Sequence, residues 1–190
     1  KDLSVTVGEN RTDARGNVIA TASTSGKTED FSIDVASLGG MYANKIKLVG
    51  TETGVGVRNA GNIGAQAGDF TLSADGKLQN TGVITAQNVN VASQQSIENR
   101  GSVLAQQSLT LDAKGAINNH DKGQIIAGRD ATLRGETLHN DATSLLAAGV
   151  DEKGRQTSAG SLNAEAKKGA TLQGQLAAKD ALRVTGSELD

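Results

Sequence analysis

An apolar residue, one further residue and an asparagine recur along the chain at intervals of about twenty residues. Successive asparagines of this pattern are 21, 19, 20 and 21 residues apart, and they are Asn59, Asn80, Asn99, Asn119 and Asn140. A second column, an aliphatic residue two positions before an alanine, follows in every unit, for example Ile84 and Ala86. A third column of alternating apolar residues, such as Val89 and Val91, follows in most units. Self-similarity at this fixed period predicts a solenoid.

Each unit consists of short segments in which apolar and polar residues alternate, bounded by Gly, Asn and Asp. This pattern is typical of short strands joined by turns. At 100° per residue, a step of about 20 residues rotates equivalent side chains by roughly 200°, so the columns could not share one helix face. Three short strands in each unit predict an all-β parallel β-helix. A helical alternative stays open for residues 161–168 and 176–183.

The repeat extends over most of the chain, and two polar segments interrupt it. The apolar positions Met41 and Ile46 match Ile84 and Val89 at an offset of 43, which is about two units. Residues 8–30 are polar and rich in turn formers, which predicts a β-hairpin projecting from the β-helix near the N-terminus. Residues 149–160 predict a longer surface loop.

The composition agrees with a stack of strands that has few edges. The 190 residues include no proline and only three aromatic side chains. Proline cannot donate to a strand ladder and is confined to edges and bulges, so a β-helix has little use for it. A narrow interior is filled more easily by aliphatic side chains and alanine than by large rings. Absence of cysteine from the sequence excludes a disulfide scaffold and thiolate metal sites.

The asparagine column predicts a structural ladder, because a side-chain amide can both donate to and accept from identical neighbours. The glycines that follow the asparagines, Gly61, Gly82, Gly101 and Gly123, are expected at turns that need a positive φ. The alternation also assigns Val89 to the interior and Asn88 to the preceding turn. Lysine at position 89 is therefore expected to destabilise the fold strongly, and lysine at position 88 to have little effect.

Residues 38–65, LGGMYANKIKLVGTETGVGVRNAGNIGA, resemble the junction between the secretion domain and the repeats of filamentous haemagglutinin-type exoproteins, which include contact-dependent growth-inhibition proteins. The resemblance implies a right-handed β-helix. It also implies that residues 1–49 are the end of a two-partner secretion domain, and that residues 50–190 are haemagglutinin repeats. The implied partner is a dedicated outer-membrane transporter, and the implied location is outside a Gram-negative cell or on its surface.

A structural and export role follows from this resemblance: a stalk that presents a distal adhesin or contact-dependent toxin domain. The alternative is direct adhesion, in which the hairpin or the 149–160 loop contacts a glycan or receptor. Whether the protein is an adhesin or a toxin carrier stays open.

The repeat columns give little support for catalysis. Acidic residues in the turn before the third strand alternate with other residues along the column, so no two stack directly. His120 is level with Asp141 of the next coil, which favours a surface contact over a catalytic pair. The balance of 19 basic and 21 acidic residues gives no charge argument for nucleic acid. We therefore expect no enzyme activity, no catalytic, metal or cofactor site, no nucleic-acid partner and no membrane span.

Overall fold

A computed structural model describes residues 1–8, 10–15, 17–21, 31–36 and 39–190. The described part is all-β and has no helix. Its first eleven strands are β1 (Leu3–Val7), β2 (Asn10–Thr12), β3 (Val18–Thr21), β4 (Phe31–Val35), β5 (Gly40–Ala43), β6 (Ile46–Gly50), β7 (Gly56–Asn59), β8 (Asn62–Ala74), β9 (Leu78–Asn80), β10 (Val83–Ser93) and β11 (Ile97–Asn99).

The remaining strands follow the same order of short segments and turns. They are β12 (Ser102–Ala105), β13 (Leu109–Ala113), β14 (Ile117–Asn119), β15 (Gln124–Ala127), β16 (Ala131–Asn140), β17 (Leu145–Ala148), β18 (Ser161–Leu172), β19 (Gln175–Ala178), β20 (Ala181–Thr185) and β21 (Glu188–Leu189). Strands β18 to β20 occupy the two segments for which a helix stayed open, so the helical alternative is wrong.

Parallel pairing between successive coils builds a solenoid of about seven turns. Val89 lies beside Phe70 of the preceding coil and Leu109 of the following coil, and Ile97 lies beside Leu78 and Ile117. Nearly every strand is therefore hydrogen-bonded on both sides, as the absence of proline indicated. The predicted parallel β-helix is confirmed.

The core is a continuous column of side chains inside the stack. Phe70, Ile84 and Val89 are completely buried, and each belongs to a period-2 segment whose alternate residues face outward. Alanines such as Ala86 and Ala127 fill the narrow parts of the interior. Because each coil contributes only a few apolar side chains, its stability depends on contact with its neighbours.

The turn glycines have a different role from the one expected. The described glycines with positive φ are Gly8, Gly54, Gly149 and Gly154, so a positive φ is wrong for the glycines that follow the asparagines. A Cβ atom on Gly82 would collide with the carbonyl oxygen of Gly61, and one on Gly101 would collide with that of Gly82. Close stacking of successive backbone turns is therefore what excludes a side chain here.

Gly101→Ala is expected to lower the free energy of unfolding by about 2–3 kcal/mol, because the methyl group would force two backbone turns apart. Chemical denaturation monitored by circular dichroism measures this loss. Gly64→Ala is the matched control, since its Cβ would approach only the ring of Tyr42, at 3.0 Å, and Tyr42 is 62% exposed, so its side chain has room to shift. Equal losses in the two variants would contradict the stacking explanation.

Two elements project from the solenoid. Strands β2 and β3 form an antiparallel hairpin whose turn is closed by Asp13, which accepts hydrogen bonds from the backbone N–H groups of Arg15 and Asn17 at 2.8 and 2.9 Å. Glu9, Gly16 and residues 22–30 of the predicted hairpin segment, and Leu38 of the segment 38–65, lie outside the described residues.

The second projection, residues 149–160, joins β17 to β18. A single antiparallel bridge links Val150 to Gln156 within it. The Thr157 hydroxyl donates to the carbonyl oxygen of Gly128 at 2.5 Å, which fastens the loop to the solenoid.

Asn88 is more constrained than the sequence indicated. Its side-chain Nδ2 donates to the Asp69 carboxylate of the preceding coil at 2.9 Å, and its Oδ1 accepts the backbone N–H of Ser108 of the following coil at 3.1 Å. Lysine at position 88 would break contacts to two coils, so we expect a larger loss of stability than the sequence pattern alone indicates.

Candidate functional site

Five asparagine side chains form a buried ladder along one edge of the core. Nδ2 of each of the first four asparagines donates to Oδ1 of the asparagine in the next coil, at 2.8 Å in all four links. The five side chains are at most 1% exposed, and they are Asn59, Asn80, Asn99, Asn119 and Asn140. All four bonds point toward the C-terminus, so the amide dipoles are aligned.

Backbone carbonyl oxygens accept further hydrogen bonds from the amide groups of the ladder. Asn119 Nδ2 also contacts the carbonyl oxygens of Gly123 at 3.0 Å and Leu145 at 3.1 Å. Each asparagine therefore fixes the turn that follows it and ties this turn to the next coil. Buried amides are stabilising when they are paired in this way and costly when they are not.

Apolar residues terminate the ladder at both ends. Val35 occupies the equivalent position in the coil before Asn59, and Leu172 occupies it in the coil after Asn140. At the second end, Asn140 Nδ2 has only long contacts of 3.4 Å to the carbonyl oxygens of Ser144 and Gln175. The ladder thus has five members, and it supports structure by clamping successive coils together.

A polar column lies on the outer face of the same strands. It consists of the residues that precede the ladder positions, and they are Asp34, Arg58, Gln79, Glu98, Asn118 and His139. The Arg58 guanidinium forms a two-point ion pair with Asp34 and holds the pKa of that carboxyl below its ordinary value. This pair joins residues 24 positions apart, and the repeat pattern alone did not indicate it.

A shallow concavity of about 270 Å³ opens on this face. Its lining includes the cationic side chains of Arg58, Lys77 and Arg100, together with Gln79 and Glu98. Both Arg58 and Lys77 lie over the ring of Phe31, 5.1 and 5.5 Å from its centroid. The ring therefore supports two cations that belong to adjacent coils.

His120 lies in a charged cluster beside this concavity. Its Nδ1 is 3.0 Å from the Asp121 carboxylate, and its Nε2 is 3.4 Å from that of Glu98. Arg100 forms an ion pair with the same Asp121 carboxylate at 3.0 Å. His120 therefore contacts the adjacent Asp121 and Glu98 of the preceding coil, in place of the expected surface contact with Asp141.

Asp141 closes the turn after the last ladder residue. Its carboxylate accepts hydrogen bonds from the Ser144 hydroxyl at 2.7 Å and from the backbone N–H of Asp121 in the preceding coil at 2.8 Å. These bonds, with those from Thr143, hold the pKa of Asp141 well below its ordinary range. The ionised carboxylate is therefore the form that connects the two turns.

Asp141→Asn is expected to lower the melting temperature at pH 7. The difference from the wild type should become smaller in acid. A lowered folded-state pKa means that the stabilisation is complete above the unfolded pKa, about 4, and is lost as the pH falls through the folded value. Melting temperatures of wild type and variant between about pH 7 and pH 2 measure the convergence. A difference that stays constant over this range would contradict an ionised turn cap.

Within the described ranges, no group of three or more His, Asp or Glu side chains is arranged to hold a metal ion. The same part of the chain has no helix of the length and hydrophobicity needed to cross a bilayer.

A stack of short parallel coils joined by an internal amide ladder defines the class of protein as a β-solenoid. The relatives then identify the family. The chain is 37% identical over 199 aligned residues to the 16S rRNA endonuclease CdiA of Enterobacter cloacae, an alignment that covers 100% of the chain. It is 34% identical over 178 residues, 94% of the chain, to the tRNA nuclease CdiA of Yersinia mollaretii. This chain belongs to the contact-dependent growth-inhibition exoprotein family, as residues 38–65 predicted.

These alignments cover little of the relatives. The chain spans 6% of the length of each of those two proteins. Toxin CdiA of Yersinia pestis is 51% identical over 102 residues, which are 53% of the chain and 3% of that protein. No family model and no solved structure matches the chain.

The expectations of no enzyme activity and no nucleic-acid partner are wrong. Relatives that align with nearly the whole chain are named as a 16S rRNA endonuclease and as tRNA nucleases. The charge balance and the repeat columns are properties of these 190 residues alone. Such local properties carry no information about other parts of proteins that are many times longer.

Proposed function

We propose that this chain is a β-helical display segment of a toxin exoprotein whose full-length form acts on RNA, as the names of its relatives state for those proteins. In this proposal residues 1–49 are the end of a secretion domain and residues 50–190 are the first repeats of a stalk. The stalk holds the toxin away from the producing cell, on the surface of a Gram-negative bacterium.

The observation that carries the proposal is the continuous parallel pairing of successive coils. Strands β1 and β4 to β21 pair in parallel with neighbouring coils, and the asparagine ladder joins five coils in succession. A stack that grows by about 4.8 Å per coil is a way to gain length at a constant cross-section. Length and stiffness are the properties that a display segment requires.

Export through an outer-membrane partner fits the same construction. Each coil is stabilised mainly by its neighbours, so a chain that emerges gradually can fold coil by coil. Folding outside the cell then opposes backward movement of the chain through the pore. The absence of cysteine in this sequence removes disulfides as an obstacle to passage of the chain.

Two deletions in the full-length protein test the display role. Removal of residues 100–119 takes out one complete coil and joins Asn99 to His120, which preserves the spacing of the ladder. Removal of residues 100–109 takes out half a coil and shifts every later strand out of register. The amount of exoprotein at the cell surface and the inhibition of neighbouring cells are measured for both.

We expect the whole-coil deletion to retain surface display and inhibition, and the half-coil deletion to lose most of both. Equal behaviour of the two variants would contradict a role that depends on coil register.

Deletion of residues 151–156 in the 149–160 loop addresses the adhesive alternative, because a pure stalk keeps its cell attachment without the loop.

A further inference from the structure

We propose that the concavity on the outer face binds an acidic polysaccharide whose sugar rings carry carboxylates. The site is formed by three consecutive coils and includes Arg58, Lys77, Gln79, Thr81, Glu98 and Arg100. It adjoins the ladder at Asn80, and it adds a ligand to the display role without depending on it.

Charge is the first argument for an anionic ligand. Three of the side chains around the concavity are cationic and one, Glu98, is acidic, whereas the whole chain has a net charge of −2. Asp34 and Asp121 pair with Arg58 and Arg100 from outside the lining, so Lys77 is the cation of the lining that has no ion-pair partner among the described residues. A cationic side chain at a concavity attracts anionic ligands and raises their local concentration.

Unused hydrogen-bond donors are the second argument. Arg58 donates two of its five N–H groups to Asp34, and Arg100 uses its Nε toward Asp121 and His120. Lys77 has no ion-pair partner among the described residues and is positioned over Phe31. The remaining guanidinium and ammonium donors are the groups that bind carboxylates best.

The neutral polar side chains and the one carboxylate of the concavity favour a sugar chain over a polyanion whose charges are more closely spaced. The Gln79 amide and the Thr81 hydroxyl are suited to sugar hydroxyls, which both donate and accept. Glu98 accepts a hydrogen bond from Asn118 at 2.8 Å and keeps further acceptor capacity for a hydroxyl donor. The same carboxylate would repel a closely spaced row of phosphates.

The spacing of the coils matches an extended polymer. Neighbouring coils lie about 4.8 Å apart along the solenoid axis. Arg58 and Glu98 both pair with Gln79, so they are roughly 10 Å apart along this axis. The length of one pyranose ring in an extended chain is similar to the spacing between two coils. A polysaccharide parallel to the axis would therefore place one ring over each coil.

Titration of the 190-residue chain with a hexameric oligogalacturonate, followed by calorimetry and by NMR shifts of backbone amides, tests the proposal. We expect saturable binding, with shifts concentrated around Gln79. The methyl-esterified hexamer, which lacks the charges, should bind at least about tenfold more weakly, because removing each charge-assisted hydrogen bond to a carboxylate costs roughly 1 kcal/mol or more.

Lys77→Gln and Arg100→Gln should each weaken binding of the hexamer by at least about fivefold while leaving the melting temperature nearly unchanged. Arg134→Gln is the matched control. Arg134 is paired with Glu165 at 3.1 Å, and its side chain is 48% exposed against 54% for Arg100, but it lies in a different strand column. Its replacement should leave the affinity unchanged.

Four results would overturn the proposal. They are absence of binding, equal affinity for the esterified hexamer, equal weakening by Arg134→Gln, and tighter binding of a polyphosphate of the same charge. The last result would assign the concavity to a different anion. None of the four bears on the display role, which is tested by the register of the coils.

Discussion

Val89→Lys is expected to lower the free energy of unfolding by roughly 4–6 kcal/mol, the largest effect expected of any single substitution described for this chain. Val89 is completely buried between Phe70 and Leu109 of the adjacent coils. A lysine there must either lose its proton or pull the strand out of the stack. Both outcomes disturb three coils, because the neighbours on either side pack against the same side chain.

Asn90→Lys is the control for this substitution. Asn90 is the next residue of the same strand, and its side chain is exposed. Lysine at position 90 keeps the strand hydrogen bonds and should change the free energy of unfolding by no more than about 0.5 kcal/mol. Urea denaturation of both variants measures the two changes in the free energy of unfolding. Similar losses at positions 89 and 90 would show that the strand is not oriented as described.

Asn119→Ala is expected to cost about 3–5 kcal/mol, the second largest effect, although it removes only a small polar side chain. One amide N–H of Asn99 would lose its acceptor, and Oδ1 of Asn140 would lose its donor. Both groups are buried, so water does not readily replace the missing partner. Thermal and urea unfolding measure the loss.

The adjacent Asn118 gives a control with identical chemistry. Its side chain faces outward and makes one hydrogen bond, to Glu98, so Asn118→Ala should cost less than about 1 kcal/mol. A double variant, Asn99→Ala with Asn119→Ala, should lose less than the sum of the single losses, since the two residues share a bond. Strict additivity would contradict a connected ladder.

The fold could be predicted from sequence because the same physical requirement recurs in every coil. Ile84 and Val89 differ in position from Ile63 and Phe70 by one coil, yet they occupy equivalent inward sites, and the repetition of such pairs identifies a parallel stack. Sequence is less informative where one residue type has several uses. Glycine in a turn suggests a positive φ, whereas at Gly82 and Gly101 the carbonyl oxygen of the preceding coil is what excludes a side chain.

The outer face was much less predictable. The ion pair of Arg58 with Asp34 depends on the register of two coils, and that register is irregular between Phe31 and Ile33. No local pattern encodes which outward side chains meet. The contacts of Asn88 with Asp69 and Ser108 also depend on register, so the alternation of apolar and polar residues does not indicate them.

The direction of the asparagine bonds determines how the molecule responds to tension. The bonds between coils run along the solenoid axis, so a force that stretches the axis loads the coil interfaces in series. In a series arrangement the weakest interface yields first. The interfaces without an asparagine–asparagine bond lie beyond the two ends of the ladder, where Val35 and Leu172 stand in place of an asparagine. Under load, rupture is therefore expected to begin outside the ladder, while the coils from Asn59 to Asn140 stay joined.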